Sequence, residues 1–245
     1  MEKAFLFLFN DLTYKNDFNM IRISYFRKSL SFLIAFIALF MIDGCKDNIL
    51  TPHSNNFEVS TLSSPNLSDV PPVMTIDSIK MLISDIKLTI AGNHDSLEFK
   101  TGPFMLRLDP NFSVITFSSG FIPEGSYENI KFEVHKPSNE EVTDTIFTNG
   151  GKYSVFVYGS YNTEPFTYRS SNSAKLQLNF YYPAFVSDSG TTNITLVVKP
   201  YFWFFNGSNY IDPRVPTNWS QIDYGIKNNF YAIKDNNHDG IGETN

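Results

Sequence analysis

The feature that most constrains this chain is a period-two alternation of apolar and polar residues, recurring in short runs. The run "NIKFEVH" places Ile130, Phe132 and Val134 on one side and Lys131, Glu133 and His135 on the other. "FMLRL" does the same with Phe104, Leu106 and Leu108. "YSVFVYG", "KLQLNFYY" and "NITLVVK" repeat it with Tyr153/Val155/Val157, Leu176/Leu178/Phe180/Tyr182 and Ile194/Leu196/Val198. A period of two belongs to a half-buried strand, whose successive side chains point to opposite faces. In "DSIKMLISDIKLTI" the apolar set is Ile79, Met81 and Ile83, then shifts parity to Ile86, Leu88 and Ile90. An extra residue inserted at Ser84–Asp85, as in a β-bulge, produces that shift. Turn signals separate the runs: "AGNHD", "NGG", "SDSG" and "NGSN". Some eight or nine short strands at near-regular spacing predict an all-β fold, an antiparallel β-sandwich.

Composition agrees. Aromatic residues make up 16% of the 245 residues, with 24 Phe and 13 Tyr, and charged residues only 18%. Aromatic and β-branched side chains favour pleated surfaces. A formal net charge of −6, with no basic cluster, argues against a nucleic-acid partner.

The chain holds a single cysteine, so no intramolecular disulfide is available and the fold stands on its core. Cys45 sits at the end of an apolar stretch. Arg22, Arg27 and Lys28 precede an uncharged run of 14 residues, Ser29 to Ile42. That length suits the apolar region of a signal peptide and is shorter than the roughly 20 residues of a membrane-spanning helix. The segment before Cys45 carries five bases and four acids, so the remainder carries 14 bases and 21 acids. Residues 1–19, broken by Asp11 and Asp17, sit upstream of a complete signal, and Met20 is the expected start.

The stretch "MIDGC" resembles the cleavage box of bacterial lipoprotein signal peptides. Ile42, Gly44 and Cys45 occupy its aliphatic, small and cysteine positions, while Asp43 departs from it. The resemblance implies that residues 1–44 are removed and that Cys45 is acylated. It further implies a lipid-anchored protein of the cell envelope, outer membrane included, whose partner is the membrane. Each buried CH₂ of an acyl chain contributes about 0.8 kcal/mol, so more than one chain anchors firmly.

After Cys45 the stretch to Pro72 is rich in Ser, Asn and Pro, and reads as a flexible tether over 45–72. The sandwich is expected over 73–210, as one domain, with a C-terminal helix and an Asp/Asn-rich tail over 211–245. "IPEGSYENIKFEV" resembles the corner of transthyretin-like and carboxypeptidase-regulatory β-sandwiches, also Ig-like in layout. There Pro123 and Gly125 would shape a turn and Tyr127 would fold back over the start of a strand. The whole layout is similar to exported lipoproteins whose sandwich belongs to a domain family of unknown function. No activity follows from it.

In the tail, Trp219, Ile222, Ile226, Phe230 and Ile233 recur at helical spacing. Asn218 is the expected N-cap with Gln221 three residues on. Gly225 should weaken the helix by about 1 kcal/mol relative to Ala. Beyond it, "DNNHDGIGE" matches the register of an EF-hand calcium loop, with ligands at positions 1, 3, 5, 7 and 9 and Gly at 6. Asp235, Asn237, Asp239, Ile241 and Glu243 are therefore the candidate metal residues, and Ca²⁺ the candidate cofactor. The twelfth position, which holds the strongest ligand, would fall after Asn245.

"PYFWFFNGSNY", read as a strand, would turn Tyr201, Trp203 and Phe205 to one face. If that face is open, it forms a candidate platform for stacking on glycan rings, with Tyr181 and Tyr182 nearby. If the C-terminal helix covers it, the rings are core. The four His residues are scattered, and no nucleophile–base pair or phosphate loop is visible. The sequence thus predicts a non-enzymatic, lipid-anchored envelope module, structural, adhesive or binding. The alternative is a glycan-binding accessory lipoprotein using exposed aromatics.

Overall fold

The computed structural model describes residues 55–64, 73–92, 95–100, 102–109, 111–138 and 144–243. Twelve strands appear among them, with one α-helix near the C-terminus, and the all-β class read from the alternation holds. Strand β1 spans Phe57–Ser63, β2 Met74–Ile83, β3 Ile86–Ile90 and β4 Ser96–Lys100. β5 is Phe104–Leu108, β6 Val114–Gly120, β7 Gly125–Val134 and β8 Val155–Tyr161. β9 is Glu164–Ser170, β10 Ala174–Val186, β11 Thr192–Val198 and β12 Phe230–Lys234. The helix α1 covers Trp219–Asn228.

The smaller sheet runs β12-β11-β1-β6 and the larger runs β4-β3-β7-β2-β8-β9, with β10 joined to β7 and β5 to β2. Every ladder is antiparallel except β1–β11, which is parallel in the register Phe57↔Thr192 to Ser63↔Val198. Aromatic pairs cross between the sheets and mark the core. Phe57 meets Phe99 edge-on at 5.0 Å, Phe104 stacks on Phe117 at 5.8 Å, and Phe132 meets Phe230 at 6.0 Å. Such pairs add about 0.5–1.5 kcal/mol beyond the area they bury.

The first strand is a correction to the expected tether. Phe57–Ser63, placed by composition within a flexible arm over 45–72, lies inside the smaller sheet with Phe57 and Val59 fully buried. Its polar members are buried as well. Ser60 Oγ donates to Asn193 Oδ1 at 2.8 Å and pairs with Thr116 Oγ1 at 2.9 Å. A strand covered on both faces, with polar groups satisfied internally, shows no apolar alternation and reads as linker.

The long strands follow the sequence more closely. Ile130, Phe132 and Val134 are buried while Lys131 and Glu133 are half-buried. The parity shift at Ser84–Asp85 is a break between β2 and β3, both of which pair with β7. Tyr127 is 1% exposed and its hydroxyl donates to the Pro123 carbonyl at 2.8 Å, closing the turn before β7. Strands from both halves interleave through β1–β11, β2–β8 and β7–β10, so the polar stretch before Asp144 separates no domains. The unit spans His53–Asn245.

In β10 the pairing with β7 shifts between Asn179 and Ala184. Tyr182, expected to face inward with Leu176, Leu178 and Phe180, is instead 49% exposed, and Tyr181 is 89% exposed. The helix also ends earlier than its periodicity suggested. Phe230 and Ile233 belong to β12, and Trp219, expected in the apolar stripe, is 44% exposed. Asn218 makes no side-chain cap; its Nδ2 donates to the Asp212 carbonyl at 2.9 Å, and a 3₁₀ turn over Pro216–Asn218 leads into α1.

Candidate functional site

Cys45, the expected lipidation residue, lies outside the described residues, as does the expected signal segment 1–44. The other sequence-derived candidates fall within them.

Pro200–Phe204 is a 3₁₀ helix rather than a strand. Proline at its first turn presets φ and needs no N–H partner, which favours a helical start. A three-residue turn points its side chains around the axis instead of to two faces, so one set cannot be core and the other platform. Tyr201 is 8% exposed and Trp203 0%, while Phe205 is half-buried and packs on Tyr210 at 5.2 Å. Trp203 stacks on Phe230 with centroids 6.3 Å apart. Burial pushes the Tyr201 hydroxyl above its ordinary pKa. The expected glycan platform is therefore interior: α1 lies over this turn, with Ile222 and Ile226 buried beneath it.

The tail loop is ordered and does bring Asp235, Asn237, Asp239, Ile241 and Glu243 together in one turn. Asp235 is fully buried. Its Oδ2 accepts from Thr195 Oγ1 at 2.8 Å and from the Gly240 N–H at 3.2 Å, and its Oδ1 accepts from the Asp239 N–H at 3.0 Å. Asp239 Oδ1 accepts from the Ile241 N–H at 2.7 Å. Glu243 Oε1 accepts from the Asn236 and Asn237 N–H groups at 2.9 and 3.3 Å. Carboxylates that an EF-hand would aim at a common centre are here bonded to the loop's own backbone. Among the described residues, no group of three or more His, Cys, Asp or Glu is placed to hold a metal ion. The arrangement works as a clasp. Gly240, at φ +78°, lies against β1, since a Cβ there would sit 2.7 Å from Leu62 Cδ2, and His238 Nε2 lies 3.3 Å from Glu58 Oε2.

A cleft of about 390 Å³ between β9 and α1 was not visible in the sequence. Tyr153, Arg169, Trp219 and Asp223 line it. Asp223 Oδ1 accepts from the Tyr168 hydroxyl and from Ser170 Oγ, each at 2.6 Å, and Oδ2 accepts from Asn172 Nδ2. Burial, with the bond to Asp223 and its charge, pushes the Tyr168 hydroxyl far above its ordinary pKa. The Arg169 guanidinium lies 5.3 Å over the Tyr153 ring and donates through Nη1 to the Asn149 carbonyl at 3.2 Å. Its Nε is buried and has no hydrogen-bond partner among the described residues. Trp219 Nε1 donates to the Pro213 carbonyl at 2.9 Å, which holds the indole in place. The one signal in the sequence was local: Trp219 and Asp223 stand four residues apart and share a helix face. Nothing local joins that face to Arg169.

Comparison with known proteins finds no matching family model, no matching curated protein and no matching solved structure.

Proposed function

We propose that this chain is a lipid-anchored cell-envelope protein whose β-sandwich is a non-enzymatic binding module. The observation that carries the reading is the apolar run Ser29–Ile42, preceded by Arg22, Arg27 and Lys28 and closed by Gly44–Cys45. A run of that length and charge asymmetry suits an export signal, and the cysteine thiol at its end is the group an acyl transfer needs. β1 begins at Phe57, so at most about 40 Å of extended chain separates Cys45 from the body.

Metabolic labelling with an alkyne fatty acid tests the anchor. The wild-type chain should take up label and sediment with membranes, and Cys45→Ser should do neither. A wild-type chain without label, or a labelled Cys45→Ser variant, overturns the reading.

Glycan binding remains the second reading, but not through Tyr201, Trp203 and Phe205. The observation that favours it is the partly exposed Trp219 beside Arg169 and Asp223.

A further inference from the structure

We infer that the cleft between β9 and α1 binds a pyranose ring of a neutral or N-acetylated oligosaccharide. Trp219 stacks on the ring face, while Asp223 and Arg169 engage its hydroxyls. The inference rests on the reading of the body as a binding module and is independent of the anchor.

Three features of the cleft select this chemistry. Trp219 is the exposed tryptophan of the two in the chain, at 44% against 0% for Trp203. Its indole is fixed by the bond to Pro213 and packs edge-on against Tyr168 at 6.5 Å. A ring already immobilised loses little entropy when a ligand covers it. The C–H groups on a sugar face are weakly positive and meet the negative π face of the indole.

Asp223 supplies an oriented acceptor. An ionised carboxylate has about four acceptor positions, and Tyr168, Ser170 and Asn172 occupy three of them. The position left over suits a hydroxyl donor. Arg169 supplies donors: its Nη groups carry about four N–H, of which, among the described residues, one is used in the bond to Asn149. Neighbouring sugar hydroxyls each donate and accept, so one carboxylate and one guanidinium can bridge a vicinal pair.

Charge narrows the choice further. Asp223 disfavours a phosphate or carboxylate ligand in the cleft, and Arg169 disfavours a cation. A neutral polyol with an apolar face satisfies both. The volume, about 390 Å³, lies at the lower end of the range for small-molecule sites.

The test is calorimetric titration of the full chain, purified in detergent, with cello-, manno-, xylo- and chito-oligosaccharides, alongside tryptophan fluorescence. Because Trp203 is buried, a ligand-induced spectral shift reports on Trp219. We expect saturable binding to at least one series, weakened by at least about tenfold, or 1.4 kcal/mol, in Trp219→Ala and in Arg169→Ala. Tyr181→Ala, on the exposed part of β10 where its pairing with β7 shifts, should bind as wild type. If Trp219→Ala does not fold, Arg169→Lys decides in its place, since it keeps the charge and loses the planar fork. No saturable binding to any series, binding unchanged by the cleft variants, or binding lost in Tyr181→Ala overturns the inference. Fatty-acid labelling at Cys45 reads the anchor separately, so neither failure can be mistaken for the other.

Discussion

A Cβ built on Gly225 would lie 2.7 Å from both the Cα and the carbonyl oxygen of Trp203, inside van der Waals contact with rigid backbone. Intrinsic helix propensity alone makes Gly225→Ala a gain of about 1 kcal/mol. The contact reverses the sign, because α1 would have to lift from the turn that it covers. We expect Gly225→Ala to lose about 1–3 kcal/mol in denaturant unfolding, the usual cost of overpacking a filled interior. Asp235 is the second residue whose role depends on its surroundings. Asp235→Ala would strand the Thr195 hydroxyl and the Gly240 N–H, while the Asp239 N–H would keep its bond to Asn237 Oδ1. A loss of about 3 kcal/mol is expected from buried donors left unpaired. It should be the same in calcium as in EDTA; a loss confined to calcium would make Asp235 a metal ligand. Both residues were legible as types, a weak helix former and an acid in a register. What each touches was not, since Trp203 and Thr195 lie far along the chain.

Strands with one solvated face announced themselves, whereas strands covered on both faces did so only in part or not at all. β7 alternates, and its period marked it. β11 is buried along its whole length, because the tail loop and the core cover opposite sides, so its alternation described only one of them. β1 carries Ser60, Thr61 and Ser63 into the interior and has the composition of a linker. The 3₁₀ turn at Pro200 imitated a strand through its run of aromatics, and β12 continued the spacing of α1 by coincidence. The cleft depends on β9 meeting α1, a pairing that no local pattern encodes. The position of β1 has a direct test. A fragment beginning at Val73, where the body was expected to start, would expose the facing edges of β11 and β6. It should lack cooperative unfolding and aggregate, as open edges do, whereas a fragment beginning at Lys46 should unfold cooperatively. A well-folded Val73 fragment would show β1 to be dispensable.

At the scale of the whole molecule, the two halves of the described chain are woven together, and its first and last strands meet in the smaller sheet. β1, near the start of the described residues, and β12, near their end, flank β11 on either side. The closing loop then clasps the outer face, with His238 beside Glu58 on β1. Should the chain hang from Cys45 and hold a partner through its body, tension would enter at Phe57 and run along the axis of β1. That strand is bonded on both edges, parallel to β11 over seven residues and antiparallel to β6 over six. A pull along the axis loads those hydrogen bonds in shear, so they must fail together instead of peeling open one at a time. Under that anchoring, the segment with the composition of a slack tether would be the part of the fold placed to bear load.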